Sequence, residues 1–389
     1  MSQEAPARAR ILHIATRYLR GGSERRISDA MHSLDEFAHD LIVGPESDLG
    51  LAKSDLPVED VLVESRLIRQ PSPYSDAIAL TRLIRVIRER QPDIVFTHQS
   101  KAGALGRIAS RFAGRVPAVH SLSMASFGPG YSKVQSAVFR WLEKRLASYT
   151  AAYSGVGSDL MGRYRDAGVP DDKLHLIRSG VPIPRIDEPK QELKQTLARQ
   201  YGAPADRPWV IHVGSLEARK NVMMLPRVLR LTHEMSANGL LPHLLIVGDG
   251  PLRSQLEREI ESEGLGSHCT LTGYVTGVGP LMRASDTLIL LSSVEGLPQV
   301  LVQAAAVDTP FVAFDVDGVR EVLALGAQGT VVELGDVDAA VQAVTEQLAR
   351  PAAHAELNLE SWSPERIRGA YRSLLKEVLD GQTAVDRGA

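Results

Sequence analysis

A carboxylate, a glycine and a proline stand close together in Ser292-Ser293-Val294-Glu295-Gly296-Leu297-Pro298, between the apolar runs LILL and PFVAF. Pro298 suits the first position of a helix, where its missing N–H costs nothing. Gly296 lets the backbone come close to a ligand. The N–H groups near Leu297 then point at an anion. Glu295 would repel that anion, so it is better placed to accept hydrogen bonds from hydroxyls attached to it. A group carrying both a diphosphate and hydroxyls is a nucleotide sugar. Gln303, farther into the same helix, reaches a second set of hydroxyls, such as a ribose.

Three other loops have related chemistry. Gly21-Gly22-Ser23 follows the apolar run ILHIAT, Ser215 to Asn221 follows VIHVG, and Asp249-Gly250-Pro251 follows LLIVG. Each sets small residues or free N–H groups at the start of a helix, a ready seat for phosphate. Arg219 adds a planar fork and Lys220 a point charge, and both suit a diphosphate. A glycine at a strand-to-helix turn is also common for backbone reasons alone. The weight rests on four such loops at one face. The P-loop pattern G-x-x-x-x-G-K-[ST] is absent, and GDGPLRSQ breaks the spacing of G-x-G-x-x-G.

The elements that must hold these loops follow from apolar rhythm. Short apolar runs alternate with longer amphipathic ones: ILHIAT, HDLIVG, PDIVFTH and VPAVHS first, then PWVIHVG, HLLIVGDG, CTLTGYV, TLILLSS and PFVAF. That alternation predicts parallel sheets with crossover helices. The rhythm restarts after VPIPRIDEPKQ, whose three prolines suit a linker. The expected fold class is α/β, with two doubly wound (Rossmann-like) domains facing across a cleft at the carboxyl ends of their strands. The expected boundaries are 1–184 and 185–362. A terminal helix over 363–389 is expected to return to the first domain.

At 389 residues the chain is long for one core. Hydrophobic residues at 44% and charged residues at 23% are ordinary for a soluble globular protein. A net charge of −3 gives no global pull toward nucleic acid. The single cysteine, Cys269, excludes an internal disulfide and any multi-cysteine zinc site. Neither a signal-peptide-shaped segment nor an apolar run of membrane-spanning length occurs. The expected location is cytoplasmic, with contact at the inner face of the membrane left open.

With these residues in view, the chain resembles the family 4 retaining glycosyltransferases of the GT-B fold over nearly its whole length. The likeness is strongest from VIHVGSLEARKN to DVDGVREV. It implies that Glu295 holds hydroxyls of the donor sugar, that Gly296 and Leu297 meet the diphosphate, and that position 303 meets the ribose. It further implies that Lys220 binds phosphate, that Gly21 and Gly22 close over the donor phosphates and the acceptor, and that His120 stands beside the reacting sugar. The loop at Val275 would read the base, and uridine is the family's commonest. No metal is implied, and Asp315-Val316-Asp317 is read as an ordinary loop despite its Asp-x-Asp look. Arg219 stands beside Lys220 as a second donor-site cation. Two departures stand out: Gln303 replaces a glutamate, and Ser215 stands where many members carry arginine. An amide still accepts from a ribose hydroxyl.

The resemblance implies retaining hexosyl or N-acetylhexosaminyl transfer from a nucleotide sugar to a hydroxyl, the protein mainly positioning the partners. A small polyol, aminocyclitol or natural-product scaffold is the preferred acceptor, because no strongly basic N-terminal surface is evident. The alternative is a lipid-linked or cell-surface glycan. For that case 133–149 reads as a basic amphipathic helix, with Val134, Val138, Trp141, Leu142 and Leu146 on one face. Lying against the sheet with a solvated basic side would account for the same pattern. A nucleotide-sugar epimerase would need paired carboxylates, which Glu295 alone does not supply. A non-catalytic sugar-nucleotide-binding subunit is a further alternative, motivated by Gln303 and Ser215.

Overall fold

The computed structural model describes residues 8–387, apart from 20, 182, 184–185, 236–240, 351–353 and 355. Pro182, Pro184 and Arg185 of the expected linker therefore lie outside the described residues. The chain divides into two compact units, Met1–Gly180 with Glu360–Ala389, and Val181–Leu359.

The first unit is built on seven parallel strands: β1 (Arg10–Ala15), β2 (Ala38–Val43), β3 (Asp60–Val63), β4 (Ile94–His98), β5 (Ala118–Leu122), β6 (Ala152–Gly155) and β7 (Leu174–Leu176). Their spatial order is β3-β2-β1-β4-β5-β6-β7. The order reverses between β1 and β4, which is where doubly wound sheets bind ligands. Strands buried on both faces read as near-continuous apolar runs, as ILHIA and IVF do. One face carries Leu12, Ile14, Val95 and Leu83. The other carries Ile11, Phe96 and Val119, packed with Ile367, Tyr371, Leu374 and Leu375 of the terminal helix Pro364–Arg387.

This second face also buries polar groups. His13, His39 and His98 are each at most 2% exposed. The Nε2 of His39 lies 2.9 Å from the carbonyl oxygen of Leu34, which can only accept, so that nitrogen carries the proton. His39 Nδ1 is then an acceptor for His13 Nε2 at 3.0 Å, and His13 Nδ1 an acceptor for His98 Nε2 at 3.0 Å. The three neutral rings form a one-way relay across the sheet. Burial pushes His13 far below the ordinary histidine range and His98 to about 3, with Arg26 adding to the latter.

The second unit has six parallel strands: β8 (Trp209–Val213), β9 (His243–Val247), β10 (Cys269–Gly273), β11 (Thr287–Leu290), β12 (Phe311–Phe314) and β13 (Gly329–Val332). Their order is β10-β9-β8-β11-β12-β13, with the reversal between β8 and β11. Val210, Leu244, Ile289 and Val312 pack with Leu229 and Val344 of the covering helices.

The helix at Lys133–Leu146 lies differently from its apolar pattern. Arg107 and Glu143 form a buried bidentate pair, at 2.8 and 2.9 Å, which turns Glu143 inward. At about 100° per residue, Val134, Val138 and Trp141 come out on the opposite side. They are 76%, 56% and 60% exposed, so three of the five residues of the expected apolar face meet solvent, while Leu142 is half-buried and Leu146 buried. Residues 147–149 leave the helix as a short 3-10 turn.

Candidate functional site

In the second unit the chain leaves β8 at Gly214 and β9 at Gly248, and the two exits interlock. Gly248 has φ +139°, and a Cβ there would sit 1.9 Å from the carbonyl oxygen of Gly214. A Cβ on Gly250 would meet Leu216 backbone at 2.6 Å. Leu216 N–H donates to Asp249 O, and Leu252 N–H to Leu216 O, each at 3.0 Å. Gly248 and Gly250 therefore pack loop against loop. That is a backbone reason for glycine here, beside the reading of this loop as a phosphate seat.

From Ser215 the chain makes two short 3-10 turns, Ala218–Lys220 and Val222–Met224, hinged at Asn221 with φ +49°. The helix starts only at Leu225. The first turn is stapled to the exit of β11. Asn221 Nδ2 donates to Leu291 O at 2.8 Å, and Ser293 N–H to Arg219 O at 2.8 Å.

These staples set Lys220 against Glu295. The ammonium donates to Glu295 Oε1 at 2.5 Å, and both residues are buried, 9% and 7% exposed. Arg219 approaches the other oxygen at 4.0 Å while its Nε donates to Glu217 at 3.2 Å. Burial pushes the Glu295 carboxyl up, but the Lys220 charge and hydrogen bond outweigh it and hold it below its ordinary value. Glu295 is thus an anion, an acceptor only. Gly318, at φ +80°, lets its loop close under Gly296 and Leu297; a Cβ there would meet each at 2.8 Å. Pro298 caps the helix Gln299–Ala305 instead of opening it, so the first helical residue is Gln299. Gln303 is half-buried in that helix, and Val275 half-buried just past β10. Asp315 is held by Arg320 at 2.7 and 2.9 Å.

The remaining expected residues belong to the first unit. Gly21 precedes and Gly22 begins the helix Gly22–His32 after β1. His120 lies inside the first sheet. Two strand residues follow it in β5, and its ring is 2% exposed. Its Nδ1 lies 2.9 Å from Thr97 Oγ1, and a Cβ on Gly103 would come within 2.3 Å of the ring. Burial, then Arg107, holds it neutral, well below the ordinary range. Apolar flanks on both sides of the histidine in PAVHSL were the available sign of this enclosure. The relay histidines and His212 also went unremarked in the sequence, though each interrupts an apolar strand.

Two doubly wound parallel-sheet units, one carrying a buried lysine–glutamate pair at its topological switch, define a glycosyltransferase of the GT-B type. The chain belongs to the group 1, family 4-like glycosyltransferases: residues 194–360 match the model described as "Glycosyl transferases group 1", and residues 21–180 that described as "Glycosyl transferase 4-like domain". It is 27% identical over 354 residues to the Escherichia coli UDP-Gal:alpha-D-GlcNAc-diphosphoundecaprenol alpha-1,3-galactosyltransferase, covering 87% of each chain. It is 26% identical to the 2-deoxystreptamine glucosyltransferase of Streptomyces kanamyceticus, covering 66% of this chain and 70% of that one. The fold matches Anabaena HepE, solved in complex with UDP and glucose, with TM-score 0.72 at 20% identity, covering 94% of this chain and 99% of that one. The enzyme is a transferase that uses a nucleotide sugar.

Proposed function

We propose that this enzyme moves a hexosyl or N-acetylhexosaminyl group from a UDP-linked donor to an acceptor hydroxyl, with retention at the anomeric carbon. The observation that carries it is the buried Lys220–Glu295 pair, a cation for phosphate beside an acceptor for hydroxyls. In this reading Glu295 holds the donor sugar, Gln303 the ribose, and the loop at Val275 the base. Gly296 and Leu297 offer backbone to the diphosphate. Lys220 and Arg219 stabilise charge on the departing diphosphate. The acceptor oxygen bonds to the anomeric carbon on the face from which the diphosphate leaves, and a donor phosphate oxygen takes its proton.

The uridine assignment draws support from the names of the E. coli relative and of the HepE complex. For the acceptor, the outward stripe of Val134, Val138 and Trp141, flanked by Lys133, Arg140 and Lys144, favours a lipid-linked molecule at an anionic bilayer. No helix among the described residues is long and apolar enough to cross a membrane.

The test is thermal unfolding with UDP, GDP, ADP and dTDP, each with and without sugars. A ligand at 100 times its Kd adds about 2.7 kcal/mol. Stabilisation by the uridine series, with Glu295→Ala weakening only sugar-bearing forms, is expected. No response to any nucleotide overturns the donor site. Co-flotation with phosphatidylglycerol vesicles, lost in Trp141→Glu, is expected for the lipid-linked reading; a chain that never floats refutes it.

A further inference from the structure

His212 lies in β8, wholly buried, two residues before Gly214. Its Nδ1 is 3.3 Å from the carbonyl oxygen of Ile289, so Nδ1 is the nitrogen that carries the proton. Its Nε2 is then a bare lone pair, and that atom has no hydrogen-bond partner among the described residues. An unpaired buried acceptor is costly, and natural interiors rarely keep one without use.

The lone pair is beside the site. The position a Cβ on Gly214 would occupy lies 3.6 Å from His212 Nε2 and 3.7 Å from Lys220 Cε. The missing side chain of residue 214 thus leaves the space between the histidine and the lysine stem open. Burial, then the Lys220 charge, lowers His212 to about 4, so the ring stays neutral and able to accept. Glu295 pulls in the other direction and is outweighed.

The Lys220 ammonium has three N–H donors, and one is given to Glu295 in this structure. Under the proposed function Glu295 must turn its oxygens to the sugar hydroxyls. The diphosphate takes one N–H of the lysine, and the N–H that Glu295 releases, in a residue 9% exposed, then needs another acceptor. A nucleoside diphosphate without sugar makes no such demand, because nothing draws Glu295 away.

We infer that His212 is a positioning residue for the nucleotide sugar: its Nε2 is the second seat of the Lys220 ammonium, taken when the sugar claims Glu295. This rests on the nucleotide-sugar reading of the site. It predicts a residue that discriminates the intact donor from the spent nucleotide without touching either.

Two substitutions separate the two ring nitrogens. His212→Asn keeps a donor at the depth of Nδ1 for Ile289 O and removes the group at Nε2. His212→Gln carries an amide oxygen to the depth of Nε2. Calorimetric titration with UDP, UDP-glucose, UDP-galactose and UDP-N-acetylglucosamine reads the outcome. The Asn variant should bind UDP within about twofold of wild type. It should bind the preferred UDP-sugar at least about tenfold more weakly, the usual worth of a hydrogen bond to a charged group. The Gln variant should recover most of that loss. Equal weakening for UDP and UDP-sugar, or recovery by Asn and not by Gln, assigns His212 to the Ile289 contact alone and overturns the inference. A wild-type chain that binds UDP but shows no added contribution from the sugar overturns it too, with the donor site intact. Wild type that binds none of the four removes the nucleotide-sugar reading itself, and the inference with it.

Discussion

Acid should loosen the first unit well before it reaches the carboxylates. The relay His39–His13–His98 works only with all three rings neutral, because each inner nitrogen accepts from its neighbour. Burial lowers all three below the ordinary value, and the Arg26 cation adds to the effect at His98. The folded state therefore holds fewer protons than the unfolded chain once pH falls below about 6.5. Stability is complete above that value and is lost as pH drops toward the folded pKa values. The slope per histidine approaches about 1.4 kcal/mol per pH unit only well below 6.5, and over the first unit of that fall each contributes at most about 1 kcal/mol, so three give up to about 3 kcal/mol. Between pH 6.5 and 5.5 that is a large part of the 5–15 kcal/mol typical of a domain. Hydrogen exchange of β1 and β4 peptides, read by mass spectrometry at pH 7.5, 6.5 and 5.5 and corrected for intrinsic rates, reports the first unit alone. Protection should fall steeply over the last interval. Replacing His13 with Phe orphans His39 Nδ1 and His98 Nε2, costs about 1–3 kcal/mol for each at neutral pH, and flattens the slope. Equal protection at pH 7.5 and 5.5 in the natural chain would refute the relay.

Two further outcomes follow from close packing and buried charge. Gly248→Ala forces a methyl into Gly214 O at a backbone angle hostile to side chains, so the loops at Gly214 and Asp249 must part. Uridine nucleotide affinity should drop at least about tenfold, measured by calorimetry, and an unchanged Kd would show that the interlock does not shape the site. Glu143→Ala strands the buried Arg107 guanidinium, which should cost about 3–5 kcal/mol in denaturant unfolding; replacing both with well-packed apolar residues should recover most of it, and the absence of recovery would show that the pair does more than satisfy itself.

The sheets were legible because strands buried on both faces are written as plain apolar runs. β3, β6, β7 and β13 were not, since DVLV, AYSG, LHL and GTVV are short and mixed in character. Lys220 and Glu295 could be read as a pair of roles, for a cation and a hydroxyl acceptor. Their contact could not, because it depends on staples from Asn221 and Ser293 that join segments some 70 residues apart. The outward turn of Val134, Val138 and Trp141 was hidden for a similar reason. Apolar spacing gives the width of a stripe, while the buried Glu143 decides which way it points.

The terminal helix has a consequence for how the protein is made. Ile367, Tyr371, Leu374 and Leu375 complete a core whose other walls, Ile11, Phe96 and Val119, leave the ribosome first. Residues 181–359 are synthesised in between. At about 5–20 residues per second the apolar face of the first sheet waits roughly 10 to 40 seconds for its cover. The later unit has every residue it needs once Leu359 is made, while the earlier one still lacks its terminal helix. Folding order should therefore run against the order of synthesis, and the half-built sheet is a natural client for a chaperone at the ribosome.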